Sequence, residues 1–277
     1  STITVAVDDA NSDDDFDAIA DQTVSVSTLD DDTPGFTIEE TDAATEVDES
    51  GSTDIFTVVL DAQPTSDVVL TITSDDTGEA TVPASVTFTP VNWDTAQTVT
   101  VTGVDDDLVD GTITSTITVA VDDSNSDDDF DALDDQTVSV DTTDDDTPGF
   151  TIEETDGSTE VDESGSTDIF TIVLDAQPTN DVVVLATASN DETEAMVSGS
   201  ITFTSENWDT PQTVTVTGVD DDLVDGDQTY DITISIVDTI SDDEFDGVAD
   251  QSVSSTTLDD DAPGFTIEET DAATEVD

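Results

Sequence analysis

The chain contains no lysine, arginine, histidine or cysteine, and each absence closes a field of chemistry. Without Lys or Arg nothing can neutralise a phosphate, so nucleic acid and anionic membrane are excluded as partners, as is an arginine clamp on a substrate. Without His there is no Ser-His-Asp or Cys-His catalytic pair, and the usual transition-metal ligand is missing. Without Cys there is no disulfide framework, thiolate zinc site or thiol redox chemistry. No run approaches the roughly 18 consecutive apolar residues of a membrane helix. Aromatic residues make up only 5% of the chain, and beyond Phe they are Trp93, Trp208 and Tyr230.

What is present is acid. The 277 residues include 73 Asp and Glu, giving a formal net charge of -73 against 34% hydrophobic residues. Such a composition ordinarily leaves a chain disordered, because self-repulsion is large and little apolar surface offsets chain entropy. The apolar residues, however, are grouped into alternating β-branched runs, which a disordered acidic tail has no reason to keep. The pattern predicts strands, provided the charge is compensated. Ser1 opens in what reads as the middle of a strand, so the chain is expected to be a window of a longer protein, with any signal or anchor outside it.

Internal repetition sets the organisation. The segment Thr33-Pro-Gly-Phe-Thr-Ile-Glu-Glu40 returns from Thr147, 114 positions on, and from Ala262, a further 115 on. Trp93 returns as Trp208 and Asp105 as Asp220, both 115 apart, whereas Glu49 returns as Glu163 at 114. One residue is therefore inserted between these landmarks, and the run 182–188 is the expected place. The reading gives complete repeats at 33–146 and 147–261. They are flanked by the last two strands of a preceding repeat at 1–32 and the first strand of a following one at 262–277.

Within the first complete repeat the strand signals fall at 36–40 with a continuation at 45–48, then 54–60, 67–73, 80–89, 97–104, 112–121 and 136–140. Runs such as Thr98-Val-Thr-Val-Thr102 alternate with period two and place Val on one face and Thr on the other. Seven short strands separated by Pro, Gly, Asp and Ser, with no helical period, predict an all-β fold of tandem seven-stranded antiparallel β-sandwiches of immunoglobulin type in a linear array. Phe36, Phe56, Phe88 and Trp93 are then core or sheet-edge residues. A strand of about ten residues spans roughly 33 Å, so each repeat adds a few tens of ångströms of reach.

If consecutive strands alternate in direction, the chain reaches the same pole after its first, third, fifth and seventh strands. The loop after the first carries Glu46, Asp48 and Glu49, and the loop after the third carries Asp75, Asp76 and Glu79. The loop after the fifth carries Asp105, Asp106, Asp107 and Asp110, and the seventh runs out into Asp144, Asp145 and Asp146. The opposite pole is nearly uncharged at 62–65 and 90–93 but acidic at 122–135. Because the next repeat follows at once, its own acidic loop from Ser241 to Asp246 is expected beside the first pole, which puts the crowded acids at the junction between repeats. Two unit charges about 5 Å apart in water repel by roughly 0.8 kcal/mol, and by more where solvent is excluded, so converging clusters need protons or cations. Carboxylates and carbonyls alone select Ca²⁺, which accepts six to eight oxygens in tolerant geometry, over Mg²⁺, which demands a near-regular octahedron. More than one Ca²⁺ per junction is expected. The spacing of Asp123, Asn125 and Asp127 resembles an EF-hand loop, but Asp128 stands where that loop needs Gly and Ile240 replaces Asn125 in the next repeat.

Val47-Asp-Glu-Ser-Gly51 leading into Phe56-Thr-Val-Val-Leu60, the stretch Gly103-Val-Asp-Asp-Asp107, and Asp144-Asp-Asp146 together resemble the Calx-β domain. That sandwich is found in the cytosolic loop of sodium/calcium exchangers and in tandem arrays on large bacterial surface proteins. The resemblance implies Ca²⁺ at the distal loops, held by an acid at Glu49, by Asp76 and Glu79, and by the terminal Asp run. In the second repeat the matching positions are Glu163, Asp191, Glu194, Asp220, Asp221, Asp222, Asp225, Asp259, Asp260 and Asp261, with Asn190 in place of Asp75. In the partial first repeat they are Asp30, Asp31 and Asp32. The repeat spacing is also similar to the extender regions of calcium-dependent adhesins.

The leading functional reading is an extracellular or cell-surface structural region of a fibre, stalk or adhesin, with Ca²⁺ stiffening the joints between adjacent repeats. Single-chain stalks and filaments of identical chains both remain open, and the distal receptor is not encoded in these residues. The exposed Thr-rich faces are candidates for O-linked glycans. An alternative is a calcium-dependent binding module for a glycan or a protein. Catalysis by paired carboxylates is disfavoured, because the same acids recur in every repeat without a cationic or imidazole partner. Acidity as a plain salt adaptation does not explain why the acids gather on one set of loops.

Overall fold

The structure is a computed structural model that describes residues 1–41, 44–189 and 193–268. A hairpin of β1 (Thr2–Val5) and β2 (Gln22–Ser25) opens the chain. β3 (Phe36–Glu40), β4 (Thr45–Asp48), β5 (Thr53–Leu60), β6 (Val68–Ser74), β7 (Ala80–Thr81), β8 (Ser85–Phe88), β9 (Gln97–Gly103), β10 (Leu108–Val109), β11 (Ile113–Val121) and β12 (Gln136–Thr143) follow. The same series then recurs as β13 (Phe150–Glu154), β14 (Thr159–Asp162), β15 (Thr167–Leu174), β16 (Gln177–Pro178), β17 (Val182–Ala188), β18 (Ala195–Val197), β19 (Ser200–Phe203), β20 (Gln212–Gly218), β21 (Gln228–Ile236) and β22 (Gln251–Leu258).

Each series makes a β-sandwich. In the first, a four-stranded sheet of order β3-β5-β9-β7 faces a five-stranded sheet of order β4-β12-β11-β6-β8. The second repeats both orders with β13-β15-β20-β18 and β14-β22-β21-β17-β19. All these pairs are antiparallel except β4 with β12 and β14 with β22. Period-two alternation explains the layers. Phe56, Val58 and Leu60 of β5 and Val99 and Val101 of β9 point inward against Val68, Leu70 and Ile72 of β6 and Ile117 and Val119 of β11, forming one core. Each such side chain contributes about 1.5–3 kcal/mol on full burial, and the inward-facing residues of the paired strands supply one such core in each sandwich.

Two strands change sheets. The first strand passes from the four-stranded sheet at β3 to the five-stranded one at β4. The expected single strand over 80–89 is likewise two, β7 and β8, in different sheets. Pro83 stands at that break, where a residue without an N–H cannot continue a ladder. The seventh strand runs on to Thr143, because the parallel partner β4 extends its ladder to Asp48.

The pairing also relocates the inserted residue. Ser74 and Ala188 occupy the same register position opposite Ile117 and Ile232, an offset of 114, whereas Ala80 and Ala195 stand opposite Gly103 and Gly218, an offset of 115. The insertion therefore lies after β17, in a span that includes the undescribed residues 190–192, and not within 182–188. A one-residue slip inside the buried strand would turn its core face outward. Asp75 thus corresponds to Ser189, and not to Asn190: the N–H of each donates to a carbonyl of the facing strand, at Thr116 of β11 and Asp231 of β21 respectively.

The sandwiches meet through a short parallel pair. β10 lies beside β16, with Leu108 opposite Gln177 and Val109 opposite Pro178, and the Gln177 N–H donates to the Asp107 carbonyl at 2.6 Å. Val109 is 3% exposed and belongs to the core of the second sandwich.

Candidate metal centre

The ends of β4, β9 and β12 and the loops after β6 and β9 converge at one pole of the first sandwich. The parallel pairing of β4 with β12 carries the Glu49 N–H onto the Thr143 carbonyl at 3.1 Å, which places Glu49 directly beside Asp144 to Asp146. Gly103 permits the approach of β9, since a Cβ there would lie 2.0 Å from the Asp48 carbonyl oxygen. Asp144 fixes the loop after β9: one carboxylate oxygen accepts the N–H groups of Asp110 and Gly111 at 3.0 and 2.9 Å, and the other accepts that of Asp146 at 2.7 Å. Gly111 has φ +76°, a conformation that costs other residues strain.

Glu49, Asp144 and Asp146 each offer a carboxylate oxygen within 4.8 Å of the others. Glu49 is 1% exposed and Glu79 7%. Glu49 Oε2, Glu79 Oε2, Asp110 Oδ1 and Asp146 Oδ2 are buried without a hydrogen-bond partner. Burial, followed by the charges of Asp144, Asp106, Glu79 and Asp110, pushes the Glu49 carboxyl up to about 7. Glu79 is raised by burial and then by Asp110, Asp76, Asp106 and Asp144. Asp110 is raised by burial and then by Asp106, Asp144 and Asp76. Asp146 is raised by burial and then by Asp144, Asp107, Asp145 and Asp106. All four acidic loops thus feel one another's charge.

The second sandwich repeats the arrangement with Glu163, Asp259 and Asp261, again within 4.8 Å. Glu163 is 1% exposed, and its Oε2 and Asp261 Oδ2 are buried without partners. Its carboxyl is raised by burial, against a hydrogen bond from the Asp260 backbone, with Asp259, Asp221 and Asp225 adding charge. Glu194 is raised by burial, Asp225 and Asp221, and Asp261 by burial, Asp222, Asp260, Asp259 and Asp220. Asp191 lies outside the described residues.

Other acids stand apart. Asp105 is exposed and perturbs none of the shifted carboxyls of this pole. Asp75 accepts the Thr116 N–H at 2.7 Å, which ties it to β11. Asp48 accepts Ser50 Oγ and caps a turn. Asp30 accepts the Asp32 N–H at 3.2 Å, and these two residues border a cleft of about 280 Å³ with Pro34, Ala62, Pro64 and Asp127. Asp31 is exposed.

Asp127 has a different task from that of an ion ligand. One of its oxygens accepts from the Thr65 N–H at 2.6 Å, the Thr65 hydroxyl at 2.7 Å and the Ser66 N–H at 2.8 Å. These bonds, led by that from the Thr65 hydroxyl, lower its pKa to about 2. Asp242 clamps Thr179 and Asn180 in the same way. Sequence reasoning missed this clamp, although Ser-Asp-Asp-Asp/Glu-Phe occurs at 12–16, 126–130 and 241–245. It also missed the close approach that Gly103 allows and the docking of the Leu108–Val109 pair, although the decapeptide 102–111 returns unchanged at 217–226.

Beyond Asp110 the joint opens into a cleft of about 440 Å³, whose far wall is Thr179, Asn180 and Ser241 to Glu244 of the second sandwich. Acids of both sandwiches therefore face one space.

No family model and no curated protein matches the chain. Among solved structures it is similar to the calcium binding domain CBD12 of CALX1.1, at 15% identity, 72% of this chain, 79% of that one and a TM-score of 0.30. It is also similar to domains 4–9 of the surface-layer protein SbsC, at 18% identity, 87% and 34% coverage and a TM-score of 0.29. The D00-D0 domain of intimin follows at 10% identity, 82% and 100% coverage and a TM-score of 0.26. What the strand order and clusters define is a chain of immunoglobulin-like β-sandwiches with acidic poles.

Proposed function

We propose that this chain is a calcium-binding structural region of an extracellular fibre, stalk or adhesin, in which Ca²⁺ at the acidic poles holds successive sandwiches in a stiff array. The observation that carries the reading is the set of buried, unpartnered oxygens of Glu49, Glu79, Asp110 and Asp146 in a protein without a single basic side chain. A buried carboxylate with neither hydrogen bond nor counter-charge is costly, and a divalent ion that takes oxygen ligands in flexible number relieves all four at once. Glu49, Asp144, Asp146, Glu79 and Asp110 are the ligands proposed for the first joint, with Asp106 and Asp76 near enough to contribute charge. Glu163, Asp259, Asp261, Glu194 and Asp225 serve the second. The ion supplies positive charge and cross-links loops, and the chain's own residues orient those loops through Asp144, Gly103 and Gly111.

On this reading the repeats 33–146 and 147–261 are the folding units, and the partners of each are its neighbours in the array. Ca²⁺ stabilises the folded joint by mass action, by about 2.7 kcal/mol per site at a hundredfold excess over Kd. The test is calorimetric melting with small-angle scattering of the metal-stripped chain, before and after calcium is added and again after chelation. A reversible rise in Tm with a longer, stiffer particle is expected. Identical melting and identical dimensions in millimolar calcium would sink the proposal.

A further inference from the structure

The two joints are chemically identical over ten residues yet differ in one structural respect. After β9, Leu108 and Val109 form β10 and dock on β16, and Val109 is 3% exposed. After β20, the same Leu223 and Val224 form no strand and are 61% and 53% exposed. Their groove would be a third Ala-Gln-Pro, a tripeptide the chain contains only at 62–64 and 176–178. The acids differ with the tongue. Asp110, next to docked Val109, is half-buried with an unpartnered oxygen, while Asp225, next to free Val224, is exposed. Asp144 accepts from both Asp110 and Gly111, whereas at the second pole the Gly226 N–H donates to Asp259 at 2.7 Å and, among the described residues, no hydrogen bond joins the Asp225 N–H to that carboxylate.

From this contrast we infer that the Leu-Val tongue couples docking of the next sandwich to ion binding at the pole behind it, so that Val109, which ligates nothing, sets the calcium affinity of the first joint. The inference rests on the calcium reading given above. The mechanism is positional. Tongue and acids share one loop, with Asp106 and Asp110 on either side of Leu108 and Val109. Once the Asp107 carbonyl is bonded to Gln177 and Val109 sits in the apolar core of the second sandwich, Asp110 is held toward Glu49 and Glu79. An undocked loop must be ordered at the expense of ion binding. By linkage, the ion favours docking by the same factor as docking favours the ion. Asp243 and Glu244, across the joint cleft from Asp110, are the additional acids that docking brings to this pole.

The test is calcium titration of the full metal-stripped chain by calorimetry. Two affinity classes are expected, the tighter abolished by Glu49→Gln and the weaker by Glu163→Gln. Val109→Ala should weaken the tighter class about tenfold, and Val224→Ala should change neither. Gln177→Pro, which removes the N–H donated to Asp107 and spares the apolar contact, should act in the same direction as Val109→Ala. Should Val109→Ala cost the second sandwich its cooperative melting, Val109→Thr is the milder replacement, with a smaller shift of the same sign. An unchanged tight class in both the Val109 variant and Gln177→Pro, with Glu49→Gln still abolishing it, would overturn the coupling and leave the metal site standing. Absence of any calcium uptake by the unaltered chain would instead overturn the reading on which it rests.

Discussion

Removing the charge of Glu49 should stabilise the metal-free protein at alkaline pH and abolish its response to calcium. Glu49, Asp144 and Asp146 bring carboxylate oxygens within 4.8 Å of one another. At an effective dielectric of about 20, each such pair repels by at least about 3.5 kcal/mol, and three pairs approach the whole stability of an ordinary domain. The metal-free pole therefore keeps a proton, and Glu49 holds it up to about 7 against an ordinary 4.5. Between these two values the folded chain binds more protons than the unfolded chain, so stability falls as pH rises through that window. The penalty is absent below about 4.5 and complete above about 7, where it reaches up to about 3 kcal/mol, less as salt screens the neighbouring charges. For a sandwich of this size that is roughly 10 °C in Tm. Glu79, Asp110 and Asp146, also raised, add to the same slope. The assay is calorimetric melting from pH 4 to 8 of the metal-stripped chain and its Glu49→Gln variant, each with and without calcium. The variant should melt higher than the unaltered chain at pH 8 without metal and lower with it. A metal-free variant less stable than the parent at pH 8 would refute the argument, because it would mean that the Glu49 charge is already compensated within the chain.

Two further substitutions probe the scaffold. Gly103→Ala should destabilise the first sandwich by about 3 kcal/mol, because the new Cβ would stand 2.0 Å from the Asp48 carbonyl oxygen. It should also weaken calcium binding there, whereas Gly51→Ala, with open space around it and φ +90°, should cost about 1 kcal/mol and leave binding intact; denaturant melts with calcium titrations separate the two. Tyr230→Phe should lower the stability of the second sandwich alone by about 1 kcal/mol. The buried Tyr230 hydroxyl takes the Ser255 and Thr257 hydroxyls at 3.0 and 3.2 Å, and the first sandwich has Ser115 in its place.

How much of this was legible beforehand follows from what each feature depends on. Strand positions and the shared pole of the four acidic loops depend only on period-two alternation and on the parity of direction, and both survive any local irregularity. The β-sandwich was therefore readable from runs such as 98–102 and 116–121. The breaks were harder. Pro83 was a visible signal against one strand over 80–89, whereas nothing in Val182 to Ala188 revealed that the inserted residue lies beyond Ala188. That placement required the register opposite Ile232. The acids themselves split by hydrogen bonding, which composition does not show: Asp127 and Glu49 look alike in an acidic chain and both are buried, yet one oxygen of Asp127 takes three donors and one oxygen of Glu49 has none.

The tongue was the least legible element, and the reason is physical. Leu108 and Val109 are two apolar residues among aspartates, too few to show a period, and their burial comes from a sandwich that begins almost forty residues later. What they bring together is a nonlocal strand pair and an acidic loop on the same short segment. Ion binding alone would leave the sandwiches as beads joined at Asp146, and docking alone would press the Asp110 and Glu244 regions together against their mutual repulsion. A stiff acidic array needs both, and residues 102–111 combine them: Gly103 admits the strand end, Asp106 and Asp110 face the pole, and Val109 enters the neighbour's core. An array whose joints each depend on the next sandwich gains ion affinity from its own length, so a chain of several repeats should hold calcium more tightly per joint than one whose last tongue is free.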